Sequence, residues 1–187
     1  MAADESETEL IRRLRRGETS AFHGLVDGYA RRLYGLAYSL LGNAQDAEDA
    51  VQETLSGACR SIGSFQQRAK LWTWLVRILV RQVARSRRSL SARSQSLKLD
   101  SPPEELERNG SLQAGHSSGV TRTDARLDVT AALAKLASDQ RQIIVLRELQ
   151  QMSYGQISEA LQIPLGTVES RLYRARVELR KLLAEYE

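Results

Sequence analysis

This 187-residue chain holds only one cysteine, two histidines and three prolines. Cys59 cannot form an internal disulfide by itself. With His23 and His116 it makes no set at metal-ligand spacing, so neither a metal nor another cofactor is expected. No apolar run approaches the roughly 20 residues that cross a bilayer. The first residues, MAADESETELIRR, run from acidic to basic without the apolar stretch of a signal peptide. These absences predict a cytoplasmic chain with no membrane insertion.

A further absence is local. From Thr54 to Leu99 there is no Asp or Glu, while ten Lys and Arg residues fall between Arg60 and Lys98. The net charge of +4 hides this, because acids outnumber bases ten to six from Met1 to Glu53. A block of nearly unopposed positive charge concentrates counterions and gains free energy when polyanion phosphates displace them, which points to nucleic acid.

What is present is helical. Leucine, alanine and arginine are abundant, glycine and proline are sparse in two stretches, and no strand pattern competes. The expected fold is all-α: two small helical domains joined by a flexible linker. The boundaries are 1–88, a Ser-, Gly- and Pro-bearing linker at 89–127, and 128–187. In the first domain helices are expected over about Glu7–Arg15, Ser20–Leu41, Ala44–Arg60 and Lys70–Arg88. Gly42 and Asn43 mark a break and a cap. The third helix then places Ala47, Ala50, Val51 and Leu55 inward and Asp46, Asp49, Gln52 and Glu53 outward. The fourth sets Arg77, Arg81, Arg85 and Arg88 in one stripe; like charges at that spacing repel, so an anionic partner is implied. Trp72 and Trp74 lie two apart and cannot share a face, which makes Trp74 the core candidate and leaves Trp72 for DNA.

In the second domain, SYGQISEALQIPLGTVESRLYRARVELRKLL reads as a helix-turn-helix. Ser153 and Gln156 have capping-box spacing, and Pro164 stands where a new helix needs no backbone donor. Val168, Leu172, Ala175, Leu179 and Leu182 form one apolar stripe, with Ser170, Tyr173, Arg174 and Lys181 opposite. Arg171 and Arg176 flank the stripe, so their stems can cross apolar surface while the guanidinium groups reach phosphates or guanine edges.

DAEDAVQETL, then WTWLVRILVRQVARSRR, then DQRQIIVLRELQQMSYGQISEALQIPLGTVESRLYRAR together resemble the extracytoplasmic-function (ECF) sigma factors of the sigma-70 family. The resemblance implies a sigma factor that directs core RNA polymerase to promoters and is not itself an enzyme. Its partners would be bacterial RNA polymerase core, promoter DNA and an anti-sigma factor. By position, Asp49, Gln52 and Glu53 match the residues that bind the polymerase clamp. The block from Leu55 to Arg88 matches the part that captures the non-template strand of the −10 element, with Phe65, Trp72, Arg77, Arg81, Arg85 and Arg88 as DNA-binding candidates. GTVESRLYRAR matches the helix that enters the −35 major groove. Glu169, Ser170, Tyr173 and Arg174 then fall nearest base edges, and Arg171 and Arg176 on phosphate or in packing.

Three positions depart from the family pattern. Arg81 and Arg85 stand where relatives often carry Asn and Asp, and Glu169 stands where a basic residue is common. A carboxylate there repels phosphate yet accepts a hydrogen bond from cytosine N4. The alternative is a self-sufficient helix-turn-helix regulator. A DNA-processing enzyme is disfavoured, because no nucleophile or carboxylate set is placed for cleavage.

Overall fold

The computed structural model of the chain describes residues 2–99 and 131–184, and among these it contains helices and turns but no strand. Four helices make the N-terminal domain: α1 (Ala2–Arg15), α2 (Thr19–Leu41), α3 (Ala44–Ser61) and α4 (Leu71–Leu99). A 3₁₀ turn, Ile62–Ser64, follows α3. The C-terminal domain has helical backbone at 131–135, then α5 (Ser138–Ile144), a π-helical turn (Val145–Leu149), α6 (Tyr154–Leu161) and α7 (Leu165–Ala184).

The expected break between α2 and α3 is built as anticipated. Gly42 has φ of 81°, a left-handed conformation that costs glycine nothing, and its N–H closes the last turn on the Tyr38 carbonyl at 2.8 Å. The Asn43 side chain then accepts from the Asp46 N–H at 2.7 Å and caps α3.

One boundary differs. Helix α4 continues to Leu99, so residues 89–99, expected to begin the linker, are helical. Serines weaken a helix only by tenths of a kcal/mol each, and no Gly or Pro occurs between Leu71 and Pro102 to stop it. The rest of that linker, 100–127 with His116, lies outside the described residues.

The N-terminal core is a leucine layer on small residues. Leu25, Leu33, Leu36 and Leu40 of α2 and Leu71, Leu75 and Leu79 of α4 are buried against Ala47, Ala50 and Ala58 of α3, whose small side chains let helix backbones approach closely. Truncating one such leucine to alanine costs about 2–5 kcal/mol. Glu7 ties α1 to the start of α4: its carboxylate accepts the Leu71 N–H at 2.9 Å and the Tyr29 hydroxyl at 3.4 Å. An acid is favoured there because the N–H groups of a first helical turn are unpaired and carry partial positive charge. Burial and the nearby Glu7 charge push the Tyr29 hydroxyl up to about 12.

In the C-terminal domain both ends of the helix-turn-helix follow the sequence. Ser153 and Gln156 form a complete capping box, with bonds of 3.2 and 2.8 Å. Gln162 takes the left-handed turn at φ 54°, ψ 46°, and the Pro164 carbonyl accepts the Thr167 and Val168 N–H groups as α7 begins. Val168, Leu172 and Ala175 are buried against Ile143, Leu146, Met152 and Ile157, while Leu179 and Leu182 are half-buried. The two domains also touch: α4 packs on α6, and α2 on α5 and the π-helical turn.

Candidate nucleic-acid and polymerase interfaces

The outward face of α3 carries Asp49, Gln52 and Glu53, all exposed, as its inner face of Ala47, Ala50 and Val51 requires. Glu53 lies 3.9 Å from Arg60, and Asp49 accepts from Gln45 at 3.4 Å; both contacts are solvent-exposed and contribute little. Beside this face runs a largely apolar groove between α2 and α3, with Tyr34, Val51, Leu55 and the stem of Arg31 in its walls. Sequence reasoning found the polar half of this surface and missed Tyr34, because the groove exists only once two helices pair.

The basic region centres on the loop before α4 and the first turns of that helix. Phe65, expected to stack on bases, is buried with its ring 4.8 Å from that of Trp74. The pair forms part of the wall of a cavity of about 350 Å³, together with Arg68, Thr73 and Arg77. Thr73 is almost fully buried and its hydroxyl has no hydrogen-bond partner. A buried polar group left unpaired costs roughly 1–3 kcal/mol. In the sequence the only signal of this hydroxyl is a lone threonine between two tryptophans in an apolar run.

Trp74 is core, as expected. Trp72 is buried too, 6.4 Å from and nearly parallel to the Tyr29 ring, with the Arg32 guanidinium 3.9 Å from its centroid. Its ring is therefore covered in this form rather than presented to solvent. Farther along α4, Arg81, Arg85 and Arg88 are exposed and Arg77 is half-buried. Arg87, absent from the expected stripe, turns inward: it donates to the Leu40 carbonyl, and burial holds its guanidinium below the usual range.

On α7, Glu169, Ser170, Tyr173 and Arg174 share one exposed face, and Tyr173 is 72% accessible. The Arg174 Nε lies 3.3 Å from the Ser170 carbonyl, one turn back. Arg176 points elsewhere, making two hydrogen bonds to Glu148 at 2.7 and 3.0 Å, and that partner raises its pKa further. Arg171 lies 4.0 Å from Asp139. Both flanking arginines thus face a carboxylate of their own domain.

Residues 25–93 match the family model of Sigma-70 region 2, and residues 126–179 match that of Sigma-70, region 4. The chain is 32% identical to the RNA polymerase sigma-H factor of Pseudomonas aeruginosa over 190 aligned residues, which cover 98% of this chain and 96% of the relative. It is also 32% identical to the ECF RNA polymerase sigma factor SigW of Bacillus subtilis, covering 94% and 95% of the two chains. The chain belongs to the ECF sigma factors of the sigma-70 family. This sigma factor accordingly directs core RNA polymerase to promoters and initiates transcription there. Its fold resembles that of the sigma factor RpoE from Bartonella quintana, solved in complex with the anti-sigma factor NepR. That match has a TM-score of 0.67 and 28% identity, over 87% of this chain and 96% of the other. Among the described residues of this sigma factor no helix is long and apolar enough to cross a membrane, and no group of three or more His, Cys, Asp or Glu could hold a metal ion.

Proposed function

We propose that three surfaces divide the work of this sigma factor. Asp49, Gln52 and Glu53, with the apolar groove beside them, bind the core polymerase. An acidic and amide-bearing rim next to an apolar slot suits a partner helix with one basic and one apolar face. Arg77, Arg81, Arg85 and Arg88 track the backbone of the −10 strand, and the cavity that Phe65 and Trp74 help to wall takes one unstacked base. Its volume is at the low end of the ~300–1,000 Å³ of small-ligand sites. The arginines supply charge and the aromatic pair a stacking surface, the two ingredients of single-strand binding. Glu169, Ser170, Tyr173 and Arg174 read the −35 duplex.

The observation that carries this reading is the cavity itself, walled by an aromatic pair and two arginines at the head of the basic stripe. No catalytic group is needed from this chain, and it acts in the cytoplasm, where its polymerase works. An anti-sigma factor, of the kind that accompanies the Bartonella relative, masks the polymerase-binding surface until it is released. Replacing Asp49, Gln52 and Glu53 together by alanine weakens binding to core polymerase about tenfold or more, a loss of ~1.4 kcal/mol. Titration of labelled sigma factor into core measures this, and an unchanged affinity removes the assignment.

A further inference from the structure

The C-terminal domain is held against the N-terminal one by acceptors that meet basic side chains. Gln162, in the left-handed turn between α6 and α7, accepts a bond of 2.6 Å from Arg81 Nη2 through its Oε1. Gln150, which follows the π-helical turn, accepts two from Arg32, at 3.1 Å on its Oε1 and 3.3 Å on its backbone carbonyl. That same Arg32 lies over Trp72. Glu159 of α6 lines the same cavity as Arg68 and Arg77. Behind them Arg141 of α5 joins Arg87 on the Leu40 carbonyl, at 3.2 Å, near the C-terminus of α2 where unpaired carbonyls favour cations.

One amide oxygen and a carboxylate thus meet the surface to which the −10 strand is assigned above, while a second amide holds the Arg32 that lies over Trp72. They offer its arginines the chemistry that a nucleic-acid backbone offers: oxygen acceptors spaced along a groove. We propose that α6 and the turns at its two ends are an intramolecular stand-in for single-stranded DNA, which in the free chain occupies the basic face of α4 and closes its cavity. This inference rests on the −10 assignment. Exposed amide acceptors hold guanidinium groups weakly, whereas phosphate oxygens form charge-assisted, bidentate bonds about twice as strong. The stand-in therefore excludes loose encounters with stray strands yet gives way to a strand presented at a promoter. It covers one promoter contact only. Glu169, Ser170, Tyr173 and Arg174 remain exposed in the same closed arrangement, so the −35 duplex is accessible before the −10 strand.

The test compares the full wild-type chain with the Gln150→Ala/Gln162→Gly variant, which changes no charge. Glycine suits the left-handed φ of 54° at 162, so the turn survives loss of the amide. Each chain is titrated with a fluorescein-labelled, mixed-sequence single-stranded oligonucleotide, and its radius of gyration is measured by small-angle scattering. The variant is expected to expand and to bind the strand about fivefold more tightly, since each exposed contact of this kind is worth a factor of a few. A variant that binds no more tightly, whether or not it expands, overturns the proposal. Adding Arg77→Ala to the opened variant separates the two layers. Loss of the gained affinity supports both, whereas a gain that survives the loss of Arg77 overturns the −10 assignment on which the proposal stands.

Discussion

Thr73 carries a hydroxyl that nothing in the described fold satisfies. If it serves the −10 strand, removing it helps the fold and harms the function. Thr73→Val keeps the shape and deletes the unpaired group. The variant should be as stable as the parent or more so by about 1 kcal/mol in thermal unfolding, while promoter opening by the holoenzyme falls about fivefold. Reduced stability would mean that the hydroxyl has a structural partner. Glu169 makes a separate prediction at the other DNA contact. If its carboxylate accepts from cytosine N4, Glu169→Gln should relax discrimination at one −35 base pair by about tenfold while leaving overall duplex affinity the same or higher, because a charge that repels phosphate is gone. Competition binding against single-base variants of the −35 duplex reads both effects.

At the scale of the element, α4 joins two jobs that the sequence states in different ways. Its buried face, Leu71, Leu75 and Leu79, is legible from periodicity, and its charge from composition. The stripe of Arg77, Arg81, Arg85 and Arg88 should act on phosphate by counterion release. Single arginine-to-alanine changes at Arg85 and Arg88 should each lower the slope of log affinity against log salt for single-stranded DNA by about 0.7, across all sequences alike. A loss confined to one sequence would instead mean base contact. The sequence did not disclose where α4 ends, because helix propensity near the serine-bearing residues 89–99 is indifferent and no breaker intervenes. Nor did it disclose that Arg87 faces inward while its neighbour Arg88 stays exposed. That choice is made by the Leu40 carbonyl, which lies 47 residues away in the chain.

At the scale of the molecule, the local devices were readable and the long-range ones were not. The Ser153–Gln156 capping box, the Asn43 cap and the Gly42 break each need only a few neighbouring residues, and each stands where the sequence puts it. The outward face of Asp49, Gln52 and Glu53 was readable for the same reason. Phe65 and Trp72, expected at the −10 strand, are both buried, because their burial depends on Trp74, Tyr29 and Arg32 meeting them in three dimensions. The packing of α6 on α4 leaves no trace in periodicity at all. A sigma factor must nevertheless act as a whole, with one surface on polymerase and two on DNA, and that joint requirement is the central claim. Reconstituted transcription from mapped genomic promoters tests it most directly. Core polymerase supplied with the purified chain should initiate at start sites preceded by shared −35 and −10 elements, and should fall silent there without the chain. No promoter-specific transcript, together with a palindromic footprint made by the chain alone, would contradict it.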